Sequence, residues 1–187
     1  MQAMKKPVLK AVSPQWEVLP ATEADWPGIW EIFRDVVSTG DTYSYAPDTD
    51  YELAMDVWVR HKAHGYDGAH GFVIKNADGM VVGTYSLRRN HHGLGSHVAN
   101  AGYMVHRDYR GQGIAQAMCM HSLREAKRGG CLSMQFNYVV STNTAAVKLW
   151  QKMGFTIIGV SPKSYRHLTL GLVDIYIMHR FLDDIVV

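Results

Sequence analysis

The sequence predicts a mixed α/β fold: an α+β sandwich in which a mostly antiparallel sheet of six to seven strands is flanked by about four helices. Three observations predict it. Runs alternating at a period of two are interleaved with runs at the helical period, and in chain order they read β-α-α-β-β-β-α-β-α-β-β. Residues 71–75 and 80–89 flank the turn signal Asn76-Ala77-Asp78-Gly79, which makes them a hairpin. An alternating run ending at Val105 gives way to a helical run across Arg110-Gly111-Gln112-Gly113-Ile114-Ala115. That glycine turn lies late in a mostly antiparallel pattern. It also lacks the G-x-G-x-x-G spacing, so an opening dinucleotide-binding βαβ unit is not indicated.

Each element has its own signal. Residues 16–20 read as a first strand. Thr22-Glu23-Ala24-Asp25 opens a helix with a hydroxyl cap and acids in the first turn, where Pro27 is tolerated. Ile29, Ile32, Phe33, Val36 and Val37 form its apolar stripe. The loop Tyr43-Ser44-Tyr45-Ala46-Pro47 is rich in rings, which either line a pocket or pin a surface loop. A second helix is expected over 51–64, capped by Thr49 or Asp50, with Leu53, Ala54, Val57 and Trp58 inward. Residues 90–96 connect the hairpin to a strand over 98–105, with Val98, Asn100, Gly102 and Met104 on one face. Asn100 is unusual among small strand residues; it either bonds a neighbouring loop or meets a ligand.

The helix after the glycine turn runs through Lys127. It buries Ala115, Met118, Cys119, Ser122, Leu123 and Ala126, and Gly129-Gly130 stops it. A strand over 131–140 follows, with Leu132, Met134, Phe136 and Tyr138 opposite Ser133, Gln135, Asn137 and Val139. Ser141-Thr142-Asn143 opens a fourth helix with the stripe Ala146, Leu149, Trp150 and Met153, and Gly154 ends it. Residues 155–160 form a strand, 161–171 a long loop with Tyr165, Arg166 and His167, and 172–181 the last strand. Residues 1–14 are read as a flexible N-terminal tail and 15–187 as a single domain.

Composition narrows the function. The chain of 187 residues is 47% hydrophobic and 19% charged, with a net charge of +2, which argues against nucleic acid as a partner. No apolar run of about 18 residues suggests a membrane span. Cys119 and Cys131 fit neither a zinc spacing nor a disulfide framework, which points to a cytoplasmic location. His91, His92 and His97 share a glycine-rich loop without metal-ligand spacing, so no metal is expected. The glycine turn itself suits a phosphate, because the first helical turn has unpartnered N–H groups and glycine lets a ligand approach them.

The segment Tyr109-Arg110-Gly111-Gln112-Gly113-Ile114-Ala115 resembles the acetyl-CoA signature of the GNAT N-acetyltransferases, with Arg110, Gly113 and Ala115 at the fixed positions. A second likeness lies about 30 residues on, where Asn143, Ala146, Leu149, Trp150, Gly154 and Phe155 follow the family's Asn-x-x-Ala-x-x-Leu-Tyr-x-x-x-Gly-Phe. Asn100, Gly102, Phe136 and Asn137 are similar to members that acetylate proline analogues such as azetidine-2-carboxylate. Phosphinothricin-type and other amino-acid acetyltransferases are close neighbours.

The resemblance implies a GNAT fold and an enzyme that transfers an acetyl group from acetyl-CoA, its co-substrate, directly to an amine. The acceptor would be a small molecule, an amino acid or analogue. Arg110 and the amides of Gly111, Gln112, Gly113, Ile114 and Ala115 would hold the pyrophosphate. Met104 and Val105 would pair with the pantetheine arm, and Asn143, Ala146 and Trp150 would contact it from the other side. A backbone N–H near Met104 would serve the oxyanion, a donor worth on the order of 3 kcal/mol. Asn100 and Asn137 would position the reacting groups. Tyr43, Tyr45, Tyr103, Arg166 and His167 are candidate substrate contacts, Arg166 for a carboxylate. A homodimer is common in the family.

Trp150 departs from the pattern. It stands where the family often has an acid tyrosine, and an indole N–H only donates. It reads either as a wall beside the thioester or as core packing. Tyr103 and Tyr138 are candidate substitutes, and His106 reads as a loop residue. This departure keeps two alternatives open: a protein or peptide N-acetyltransferase, and a non-catalytic CoA-binding regulatory module.

Overall fold

The computed structural model describes residues 16–60 and 70–187. The expected tail, the start of the expected domain at residue 15 and the end of the second predicted helix lie outside the described residues. The elements are β1 (Val18–Pro20), α1 (Trp26–Ser38), α2 (Tyr51–Trp58), β2 (His70–Lys75), β3 (Val81–Arg89), β4 (Val98–Val105), α3 (Ile114–Arg128), β5 (Ser133–Val140), α4 (Thr144–Lys152), β6 (Thr156–His167) and β7 (Gly171–Phe181). They form a mixed α/β fold. Its seven-stranded sheet has the order β1-β2-β3-β4-β5-β7-β6.

Every pairing is antiparallel except β4–β5, which is parallel and brief, matching only Val98 with Ser133 and Ala99 with Met134. Past Ala99 the two strands part. Two cores follow from strand alternation. On one face α1 and α2 bury Trp26, Ile29, Phe33, Trp58 and Met104. On the other, α3 and α4 bury Met118, Leu123, Trp150 and Met153 against Tyr85, Phe136 and Met178.

Local chemistry sets the ends. Asp25 oxygens accept from the Thr22 N–H at 2.9 Å and its hydroxyl at 2.8 Å, closing a capping box before α1. Asp50 caps α2 through the Glu52 and Leu53 N–H groups. Helix α2 ends at Trp58. Its inward residues are Ala54, Met55 and Trp58, whereas Leu53, predicted inward, is exposed. In α3 the buried stripe includes Ile114 and Ala117 and leaves Ala115 half-buried.

Two strand predictions are corrected. In β5, Asn137 and Tyr138 together face Ile177, a bulge between the pairs Phe136–Met178 and Val139–Tyr176. The alternation therefore breaks: Val139 is buried, and Tyr138 is exposed. The predicted loop over 161–171 is mostly strand. β6 continues to His167, paired with β7 across two register shifts, the second of which bulges out residues 162–164, and residues 168–170 form the turn.

Candidate active site

A cavity of about 210 Å³ opens where β4 and β5 part. Its wall draws on both faces of the sheet: Tyr43, Tyr45 and Trp58 on the α1/α2 side, and Tyr103, Phe136 and Trp150 on the α3/α4 side. Arg88, Asn100, Asn137, Asn143 and Ala146 complete its functional lining. The cavity thus passes through the sheet.

Ladder geometry decides which β4 backbone groups face the opening. His106 N–H donates to the Val82 carbonyl and Asn90 N–H to the Val98 carbonyl, at either end of the β3–β4 register. Antiparallel pairs alternate between bonded and non-bonded, so the even-numbered β4 residues bond β3. The Met104 N–H is therefore committed to Thr84. This corrects the expectation that it is the oxyanion donor and that Met104 pairs with a ligand. The N–H groups of Tyr103 and Val105 point into the gap instead. The Tyr103 carbonyl also faces that way and accepts from the Tyr43 hydroxyl at 2.8 Å.

The glycine turn is built as a cradle. Gly111 and Gly113 have φ of 78° and 83°, left-handed values that favour glycine, and a Cβ at either would meet nothing within 4 Å. Gly113 caps α3 without a side-chain hydrogen bond, leaving the amides of the first turn open. Ile114 is 1% exposed, so its side chain anchors the helix and only its backbone is available. Gly83 permits this close seat: a Cβ there would lie 2.7 Å from Ile114 Cγ2. Arg110 lies beside the turn, 3.6 Å from the Asp35 carboxylate.

The asparagines form one cluster with a member the sequence reading missed. Asn90, 5% exposed, accepts from Asn100 Nδ2 at 3.1 Å and from Asn137 Nδ2 at 2.6 Å through the same Oδ1. A buried amide that ties two others fixes how both present their remaining atoms to the cavity. Asn143 Oδ1 accepts from the Ala146 N–H at 3.2 Å, which caps α4 and leaves its amide nitrogen for other partners.

The tyrosines differ in role. Tyr43 and Tyr45 stack at 6.0 Å, and the Tyr165 hydroxyl holds their loop by donating to the Tyr43 carbonyl at 3.0 Å. Burial pushes the phenols of Tyr43 and Tyr45 above their ordinary range. Tyr103 lines the cavity with its ring, but its hydroxyl turns away to Ser122 Oγ at 2.6 Å, and burial raises it well above the ordinary value. The Tyr138 hydroxyl donates to the Ser164 carbonyl. Neither substitute acid is therefore poised over the opening. Trp150, 8% exposed, packs against Tyr103 and Phe136 at 5.0 Å each while lining the cavity, so wall and core are one role.

Two candidates lie elsewhere. Arg166 is exposed on β6 and absent from the cavity wall; His167 lines an adjoining hollow with Asp41, Thr42 and Asn143. The His167 ring caps its own turn through the Thr169 and Leu170 N–H groups. His106 likewise caps a turn, accepting from the Asp108 N–H at 3.3 Å. Among the described residues no group of three or more His, Cys, Asp or Glu could hold a metal, and no helix is long and apolar enough to cross a membrane.

With this geometry in place, comparisons place the chain in a class. The model of the acetyltransferase (GNAT) family matches residues 26–155, and the chain belongs to that family. A structure of a GCN5-related N-acetyltransferase from Kribbella flavida superposes with a TM-score of 0.83 at 41% identity, covering 90% of this chain and 99% of that one. The L-methionine sulfoximine/L-methionine sulfone acetyltransferase of Pseudomonas aeruginosa is 31% identical over 75% of this chain and 80% of its own length. The N-acetyltransferase aca1 of Schizosaccharomyces pombe is 33% identical over 52% of this chain, a match spanning 47% of that protein.

Proposed function

We propose that the chain transfers the acetyl group of acetyl-CoA directly to the amine of a small amino acid or amino-acid analogue. The carrying observation is the cavity through the sheet at the β4–β5 parting, which joins the open glycine cradle's side of the sheet to a polar pocket on the other. The Pseudomonas relative, named for two amino-acid analogues, supports the acceptor class.

The amides of Gly111, Gln112, Gly113, Ile114 and Ala115 hold the pyrophosphate at the N-terminus of α3, with Arg110 beside them. Backbone groups of Tyr103 and Val105 take the pantetheine amides as a partner strand would, and Asn143, Ala146 and Trp150 form the opposite wall. One of the two gap-facing N–H groups serves the oxyanion. Asn100 and Asn137, fixed by Asn90, orient the acceptor amine against the thioester. The C–N bond forms as the C–S bond breaks.

Proton handling falls to solvent. Among the described residues the cavity wall contains no Asp, Glu, His, Lys or Cys, and its buried phenols keep their protons at neutral pH. A thiolate with a pKa of about 8.5 is a tolerable leaving group without a dedicated acid. The amine therefore reacts in its neutral form and sheds its proton to water. The test is thioester consumption across a panel of amino acids, azetidine-2-carboxylate and methionine sulfone included, followed as a function of pH. The expected result is turnover with at least one, at a rate that rises with pH until the substrate amine itself is neutral. Binding of CoA without turnover on any amine would replace this reading with a regulatory module.

A further inference from the structure

We propose that Arg88 is the carboxylate anchor of the acceptor site and restricts the enzyme to amines that carry a free carboxylate. This rests on the acetyl-transfer reading of the same cavity. Arg88, next to last in β3, lies directly opposite Asn100 in the antiparallel register, so the two side chains stand together on the α1/α2 face. It is half-buried and lines the cavity.

Its neighbours leave the guanidinium available. Among the described residues no carboxylate lies within ion-pair distance of Arg88, whereas Arg60, Arg107 and Arg180 all have one. Its sequence neighbour Arg89 is spent on structure, donating to the Ser96 carbonyl at 2.6 Å and the Gly129 carbonyl at 2.7 Å. Facing Arg88 are the phenols of Tyr43 and Tyr45, both held neutral, and among the described residues the cavity wall holds no Asp or Glu. A partly desolvated cation without a counter-ion is costly, and a ligand carboxylate offsets that cost. The planar fork of arginine suits a carboxylate in two parallel hydrogen bonds.

The arrangement also sets the orientation. With the carboxylate at Arg88, the amine of an α-amino acid reaches past Asn100 toward the β4–β5 gap. An acceptor with a second cationic group in place of the carboxylate meets only like charge. An internal peptide residue, whose carboxyl is tied up as an amide, lacks the charge that Arg88 requires.

The test is equilibrium binding by calorimetry in the presence of CoA, which needs no turnover. Matched pairs are N-acetyl-L-methionine sulfone against N-[3-(methylsulfonyl)propyl]acetamide, and N-acetyl-L-proline against N-acetylpyrrolidine. They are measured on the wild type, Arg88→Gln and Arg88→Lys, with CoA affinity as the check that each variant is folded. At least one carboxylate member should bind the wild type roughly tenfold or more tighter than its decarboxylated twin. Arg88→Gln should abolish that preference, and Arg88→Lys should retain part of it. A wild type with no carboxylate preference in either pair, or an Arg88→Gln variant that keeps it, overturns the assignment. If the carboxylate preference holds while no amine consumes acetyl-CoA, the transfer reading fails and the anchor stands.

Discussion

Replacing Asn90 by alanine tests whether one buried carbonyl organises the acceptor side. The substitution removes the acceptor shared by Asn100 and Asn137. Asn137 is exposed, so water can satisfy its amide. Asn100 is 6% exposed, and its Nδ2 is left buried without a partner. An orphaned buried donor costs about 1–3 kcal/mol. In a protein of this size each kcal/mol lowers the melting temperature by about 2–4 °C. The decisive measurement is a double-mutant cycle with Asn100→Ala, read by urea unfolding. Once Asn100 is gone nothing is orphaned, so the double variant should be more stable than the sum of the singles predicts, by about 1 kcal/mol or more. Steady-state kinetics should show a lower kcat for Asn90→Ala with the KM for acetyl-CoA unchanged, because the donor cradle lies elsewhere. Additive losses, within about 0.5 kcal/mol, would refute the shared-acceptor reasoning, as would unchanged turnover.

Two further perturbations probe the frame around the site. Burial pushes the Asp25 carboxyl up, but Lys75 at 2.6 Å and the two Thr22 hydrogen bonds pull it down further, so its pKa is lowered in the fold. A lowered carboxylate pKa contributes stability that is present above the unfolded value of about 3.9 and lost as pH falls through the folded one. Asp25→Asn should thus be less stable than wild type at pH 7, and the gap measured by chemical denaturation should close as pH falls below about 4; a gap independent of pH would sink the assignment. Gly83→Ala forces a Cβ against Ile114 Cγ2 at 2.7 Å and Met118 Sδ at 3.3 Å. The overpacking costs about 1–3 kcal/mol and displaces the start of α3. The KM for acetyl-CoA should therefore rise more than kcat falls, and an unchanged KM would detach Gly83 from the cradle.

The turn proposed to hold the donor was legible in the sequence because its signals are local. Two glycines, a strand before them and a helical stripe after them specify the turn without reference to the rest of the chain. Asn143 as a cap and Gly154 as a left-handed stop are local in the same sense. The acceptor side depends on register. Asn137 sits at a bulge that alternation cannot foresee. Residues 161–167 looked like a loop because Pro162 and polar residues interrupt the pattern, yet β7 supplies a partner that absorbs two register shifts. A carboxylate-binding arginine was expected at Arg166, and the residue that enters the cavity is Arg88. One signal could have found it: Thr84, Ser86 and Arg88 alternate along a strand otherwise buried on both faces, marking a polar row on one side of the sheet.

The parting of β4 from β5 gives the two sides a common logic. Backbone groups that face a sheet neighbour demand partners, and past Ala99 β5 no longer supplies them. The Tyr43 hydroxyl satisfies the Tyr103 carbonyl. In the proposed reading the gap-facing N–H groups of Tyr103 and Val105 serve an extended amide-bearing ligand or its reacting carbonyl. The same parting opens the sheet, so in the proposed reading a donor lying along β4 on the α3 side meets an acceptor held among Arg88, Asn100 and Asn137 on the other. Among the described residues the cavity wall holds no Cys, Lys or His, and no Asp, Glu or His stands in it to activate the hydroxyls of Thr42 and Ser44. Cys119 is fully buried in the α3 core, where desolvation pushes its thiol up to about 12, and Cys131 lies outside the cavity wall. In the proposed reading no acetyl-enzyme intermediate forms, and both substrates are bound at once. Initial-velocity patterns should intersect rather than run parallel, because direct transfer needs both ligands in the gap between the strands together.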